Sequence, residues 1–154
     1  VHPEALPRIS TLAGPNNGPA RQAMSGIHFH PNGKVIYVSN RAYGQLDSAM
    51  GPAAPEGEDN IAVFAVDPET AKPTPIQHAP THGHLPRTCS IDGTGRMLVA
   101  ANSEASPKVA PDGAVRQAPL SLVTFKIADD GTLTETGMIE FPEKDRLQFW
   151  AGFL

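Results

Sequence analysis

An all-β fold built from repeated sheet units is what this chain of 154 residues predicts. Three observations carry the prediction. The first is a long repeat written twice, once as Ile27-His28-Phe29-His30-Pro31-Asn32-Gly33-Lys34-Val35-Ile36-Tyr37-Val38-Ser39-Asn40 and once as Cys89-Ser90-Ile91-Asp92-Gly93-Thr94-Gly95-Arg96-Met97-Leu98-Val99-Ala100-Ala101-Asn102. Each copy is a short strand, a polar turn closing on Gly, and an apolar strand ending in Asn. The second is a further apolar run at the same distance from each copy, Ile61 to Val66 and Leu122 to Ile127. The third is composition: 16 Pro, 14 Gly and only 18% charged residues suit many short strands joined by turns. A strand-built repeat of this length signals stacked sheets such as propeller blades, and two such units cannot close a ring.

The elements follow in order. Residues 8–13 read as an isolated strand, ended by the loop Gly14-Pro15-Asn16-Asn17-Gly18-Pro19. Ser25 to Phe29 is a strand and His30-Pro31-Asn32-Gly33 a turn, because Pro fixes φ and Asn-Gly tolerates positive φ. Val35 to Ser39 and Ile61 to Val66 are strands on either side of a long Gly-, Pro- and Ala-rich excursion, 42–59. Asp67-Pro68-Glu69-Thr70 turns the chain into a weaker strand, Thr74 to His78. The second unit repeats the plan with strands at 88–91, 97–101, 122–127 and 133–141, and its own excursion at 103–119. The apolar tail 147–154 reads as a strand docked on a neighbouring unit, since an exposed one would invite aggregation.

A net charge of -4 supplies no basic footprint, which argues against nucleic acid or an anionic membrane surface as partner. No apolar run approaches the roughly 20 residues of a membrane span. The single cysteine, Cys89, forbids an internal disulfide. That fits a reducing compartment and favours a cytoplasmic location, with a periplasmic one left open. The chain starts Val1-His2-Pro3, which suggests a trimmed or mature polypeptide.

The combined pattern resembles a known family. Phe29 to Lys34 leading into Tyr37-Val38-Ser39-Asn40-Arg41, then Ile61 to Thr70, then Leu85-Pro86-Arg87-Thr88 leading into Ile91 to Arg96 and Val99-Ala100-Ala101-Asn102, is similar to the lactonase family of seven-bladed β-propellers. This is the family of the propeller-type bacterial 6-phosphogluconolactonase and of fungal carboxy-muconate lactonizing enzyme. The resemblance spans roughly Ser25 to Ile139. It implies a partial β-propeller over 1–154, with about two blades, 25–87 and 88–141, flanked by the strands 8–13 and 147–154. It also implies a late, C-terminal portion of a longer propeller, whose remaining blades belong to a second chain or further copies that complete the ring, are lost to proteolysis, or never existed. Two departures stand out. Gly26 occupies the place where family members commonly carry Glu, and the two excursions exceed the family's usual short connections.

Lactone hydrolysis needs an activated water, a polarised carbonyl and an anchor for any anionic group. His28 is the candidate general base near neutral pH. Arg41 and Arg87 are candidates for holding a phosphate or carboxylate, or for stabilising the oxyanion. The resemblance puts all three around a central pocket, with Asn40 and Asn102 as hydrogen-bond partners for substrate. The competing readings are plainer: a strand histidine with a backbone partner, and an arginine satisfying carbonyls at a strand end. His28 and His30 share a strand face, and His78, His82 and His84 cluster in sequence, but no Cys or His-Glu motif supports zinc. The acidic run Glu56-Gly57-Glu58-Asp59 suggests calcium less than a solvated loop. Cys89 falls on a buried strand, where thiols are inert. No metal and no cofactor are expected.

These residues suggest a lactonase-like hydrolase acting on a sugar lactone or related cyclic ester, with a small anionic lactone as partner. The alternatives are a non-catalytic propeller that binds through its two long loops, and a muconate-type cycloisomerase.

Overall fold

The computed structural model describes residues 8–14, 22–42, 57–109, 114–142 and 150–153. Ten strands run through them. The first sheet joins β1 (Gln22–Phe29), β2 (Val35–Ala42), β3 (Asn60–Val66) and β4 (Pro73–Pro80) in sequential antiparallel order. The second joins β5 (His84–Ile91), β6 (Met97–Glu104), β9 (Leu120–Ile127) and β10 (Leu133–Phe141) in the same way. Between β6 and β9 a small hairpin pairs β7 (Ser106–Val109) with β8 (Val115–Ala118). No helix of the described residues is long and apolar enough to cross a membrane.

Each sheet is a four-stranded meander, which is the build of a propeller blade. The turns that start the blades are equivalent. The Gly33 amide donates to the His30 carbonyl at 2.8 Å, and the Gly95 amide to the Asp92 carbonyl at 3.0 Å. Both glycines sit at positive φ, 72° and 71°, which a side chain would resist. The following amides close the same way, Val66 onto the Lys34 carbonyl and Ile127 onto the Arg96 carbonyl.

Strand alternation sets what the blades bury. On β2 the odd-numbered Val35 and Tyr37 point toward the second blade, while Ile36 and Val38 point away from it. The main core is the seam between blades. Tyr37, Ile61, Val63 and Ala79 of the first meet Cys89, Leu98, Ala100, Val123 and Phe125 of the second. Fully burying a side chain such as Leu98 or Phe125 stabilises by about 1.5–3 kcal/mol, so this seam makes one unit of the two sheets. The Tyr37 hydroxyl crosses it to donate to the Gly131 carbonyl at 2.9 Å.

Three sequence expectations change. Residues 8–13 form no strand. They are held side-on to the first blade instead, with the Ala13 amide on Glu58 and Thr11 on Asn40. The excursion 103–119 is not a loop but contains the β7–β8 hairpin. Of the expected tail strand, residues 150–153 are not in strand conformation, although the Ala151 amide donates to Thr88 Oγ1 at 3.1 Å. Residues 147–149 and 154, and 43–56 of the first excursion, lie outside the described residues.

Candidate functional site at the strand ends

The five candidate residues separate into three groups. Arg41 is half-buried on β2, one residue before its end, and pairs with Ala23. Its odd number puts it on the face toward the second blade. Arg87 is exposed on β5, the inner strand of that blade. It occupies an irregularity between Pro86, which pairs with Asn102, and Thr88, which pairs with Ala101. A bulge of this kind re-aims a side chain. The ends of β2 and β5 meet on one acceptor: Asp59 Oδ1 takes the Ala42 amide at 3.0 Å and the Leu85 amide at 3.1 Å. The structure thus brings the segments carrying Arg41 and Arg87 to the same end of the blade pair.

His28 does not share that end. It is exposed on β1 opposite Tyr37, four residues along β2 from Arg41. At about 3.3 Å per residue, its rung lies about 13 Å from that of Arg41.

Asn40 and Asn102 form the third group, and both are engaged by the fold. Asn40 is 1% exposed; its Nδ2 donates to the Thr11 carbonyl at 2.6 Å and to Asn60 Oδ1 at 2.9 Å. Thr11 Oγ1 returns a bond to its Oδ1 at 2.6 Å. Asn102 is fully buried; its Nδ2 donates to the Thr81 carbonyl at 3.0 Å and to Ser121 Oγ at 2.9 Å. Both are clasps between a blade and the chain that leads into it. The donor atoms of both are already paired inside the protein, in bonds that hold the fold.

The residue that sequence reasoning undervalued is Asp59. It stands in an acidic run, yet its side chain is only 1% exposed. Its Oδ2 faces His84 Nδ1 at 3.4 Å, and the other ring nitrogen lies 3.3 Å from Glu104 Oε1. Its backbone oxygen accepts both the amide and the hydroxyl of Thr81. The signal available in sequence was position: Asp59 immediately precedes an apolar strand, where a carboxylate can cap neighbouring amides.

The metal readings find no support in this geometry. His30 Nε2 meets the Gly95 carbonyl, His78 Nε2 meets the Thr11 carbonyl, and His82 pairs with Glu135. Among the described residues no group of His, Cys, Asp and Glu is arranged to hold a metal ion. Glu58 caps the Ala13 and Gly14 amides, and Glu56 lies outside the described residues. Cys89 is buried, and burial pushes its thiol up to about 12, so it is no nucleophile at neutral pH. At Gly26, an added Cβ would lie 3.4 Å from Ser39 Oγ and 3.5 Å from Cys89 Sγ. These are contacts at the close end of the ordinary range, so the backbone here does not by itself exclude a side chain.

Residues 4–110 match the family model described as lactonase, seven-bladed β-propeller. The chain belongs to this family. Among curated relatives, a 6-phosphogluconolactonase of Formosa agariphila is 37% identical over 76 residues, covering 49% of this chain and 18% of that protein. The Bacillus subtilis 6-phosphogluconolactonase is 32% identical over 80 residues, covering 52% of this chain and 19% of its own length. The chain thus matches about a fifth of each lactonase relative. A Bacteroides uniformis crystal structure provisionally assigned as 6-phosphogluconolactonase superposes over 80% of this chain and 27% of its own, with TM-score 0.52 and 27% identity. The periplasmic gluconolactonase of Pseudomonas aeruginosa superposes over 90% of this chain and 31% of its own, with TM-score 0.59 and 18% identity, and supports the fold. Two blades of a lactonase propeller are what these residues build.

Proposed function

We propose that the chain serves a hydrolase of sugar lactones, and that its two blades supply the anion grip of the pocket. The observation that carries this reading is the meeting of the Arg41 and Arg87 segments on one buried carboxylate. Two guanidinium groups from adjacent blades suit a phosphate or carboxylate. The names of the lactonase relatives point to a phosphorylated sugar lactone. In such a substrate the lactone carbonyl and the carbon that bears the phosphate arm flank the same ring oxygen, so the anion grip lies close to the reacting carbonyl. In this reading His28 is the base that activates water beside the carbonyl. Further blades, from a second chain or further copies, complete the ring and the rest of the pocket.

A second reading has one observation in its favour. Gly26 brings no carboxylate to the inner strand, which suits a propeller that binds a lactone-like ligand without opening it.

The test is hydrolysis of 6-phosphoglucono-δ-lactone by the purified chain in its native assembly. Arg41→Gln and Arg87→Gln should each raise KM by about tenfold to a hundredfold, the loss of a charge-assisted pair. Ser103→Ala and Ser25→Ala, at the matching positions of the opposite blade, should leave KM unchanged. Tight binding without turnover selects the second reading. Arginine variants that bind and turn over like the parent remove the anion grip.

A further inference from the structure

We propose that Asp59 is the positioning residue of the anion grip, setting the spacing of Arg41 and Arg87 through the backbone that carries them. The inference rests on the reading of those arginines given above and adds the device that holds them.

Asp59 stands at the entrance of β3, in the first blade. Its Oδ1 accepts the amide of Ala42, the residue after Arg41, and the amide of Leu85, two residues before Arg87. One oxygen therefore links the end of β2 to the start of β5 in the next blade. The carboxylate is almost fully buried, so water cannot replace it as acceptor. Its backbone oxygen secures Thr81, and its Oδ2 faces His84. The connector between blades is thus fastened to this one residue at three places.

That connector is strained. His82 and Leu85 are not glycines, yet they sit at φ 54° and 50°. Such backbone persists only where surrounding contacts over-determine it. The Leu85 amide bond to Asp59 is one of those contacts. Without it Leu85 is released toward negative φ, and the chain leaving it, Pro86 and then Arg87, swings with it. Ala42, the residue after Arg41, is tied to the same oxygen from the other side. A grip made of two guanidinium groups depends on their separation, and small misplacements in such sites are costly.

The experiment compares kinetics on 6-phosphoglucono-δ-lactone with those on uncharged glucono-δ-lactone. Asp59→Ala removes the acceptor and should raise KM for the phosphorylated lactone by about tenfold, with kcat and the KM for the uncharged lactone within about threefold. Asp59→Asn keeps an oxygen that accepts both amides and should stay within about threefold of the parent on both substrates. Equal changes on the two lactones, or none, overturn the proposal. Should Asp59→Ala not fold, Asp59→Glu, which moves the carboxylate by one methylene, must show the same split, and a parallel loss on both lactones overturns it. Failure of the function reading looks different. It shows as Arg41→Gln and Arg87→Gln variants without effect, or as a parent that hydrolyses neither lactone, and the proposal falls with it. Arginine variants that lose affinity beside an Asp59→Ala without the split sink the positioning role alone.

Discussion

In the first blade Asn40 ties the end of β2 to Thr11 and to Asn60; in the second, Asn102 ties the end of β6 to Thr81 and to Ser121. The two clasps occupy matching rungs, each opposite the first strand of its own sheet and opposite the third. The residues given chemical roles behave in the opposite way. By the same register Arg41 matches Ser103, Arg87 matches Ser25 and His28 matches Ser90. Each of these three has a serine at the matching position of the other blade. The comparison teaches how to divide a repeat: what recurs holds the blades, and what departs from recurrence gives each blade its own chemistry.

The largest effect should come from the second clasp. A Cβ at Gly83 would overlap the Asn102 side chain, including its Cβ. Gly83→Ala should therefore destabilise by about 3 kcal/mol, the upper range for overpacking, read as a fall in the urea midpoint. A cost below about 0.5 kcal/mol, the usual scatter of surface changes, would show that the connector is looser than described.

Next come the asparagines themselves. Asn40→Ala and Asn102→Ala should each cost about 2 kcal/mol, because the first leaves buried Asn60 Oδ1 and the second the buried Thr81 carbonyl without its donor. Their ratio sharpens the comparison. Asn40 has both ends of its amide paired, whereas Asn102 Oδ1 is buried with no partner. Asn40→Ala should thus be the costlier of the two, and the reverse order would break the equivalence of the clasps.

The smallest effect concerns the turns. Where the first blade has His30, the second has Asp92, whose carboxyl is lowered by the Thr94 hydroxyl and by the Arg96 and Met97 amides. A carboxyl lowered in the fold stabilises above the ordinary carboxylate range, and that contribution is lost as pH falls through its folded value. Asp67 and Asp130, lowered by Thr70 and Thr132, act in the same direction. Asp92→Asn should therefore weaken the chain slightly at pH 7, and the effect should shrink as pH falls below the ordinary carboxylate range, measured as urea midpoints at pH 7 and through an acid series. A difference that persists in acid would assign the effect to packing instead.

Much of this fold was legible in sequence. Continuous apolar runs in Val35 to Val38 and Leu98 to Ala101, with Gly33 and Gly95 closing the turns, specify the central strands through local rules alone. The β7–β8 hairpin was not legible, because its four-residue strands are too short for a hydrophobic pattern. The site was less legible. The irregularity at Arg87 and the burial of Asp59 arise where two blades meet, and no local pattern encodes contacts between segments so far apart. Asn40 and Asn102 were visible as a repeat, yet their partners, Thr11 and Thr81, belong to stretches with no motif of their own.

The clasps also say where such a chain can be cut. Each reaches back past its own sheet to the stretch that precedes it, so the sheet boundary is not the boundary of the unit. A segment begun at His84 would hold all four strands of its sheet and still lose the Thr81 carbonyl that Asn102 needs. A transplantable module of this propeller starts inside the connector, at or before Thr81, and carries a piece of its neighbour with it.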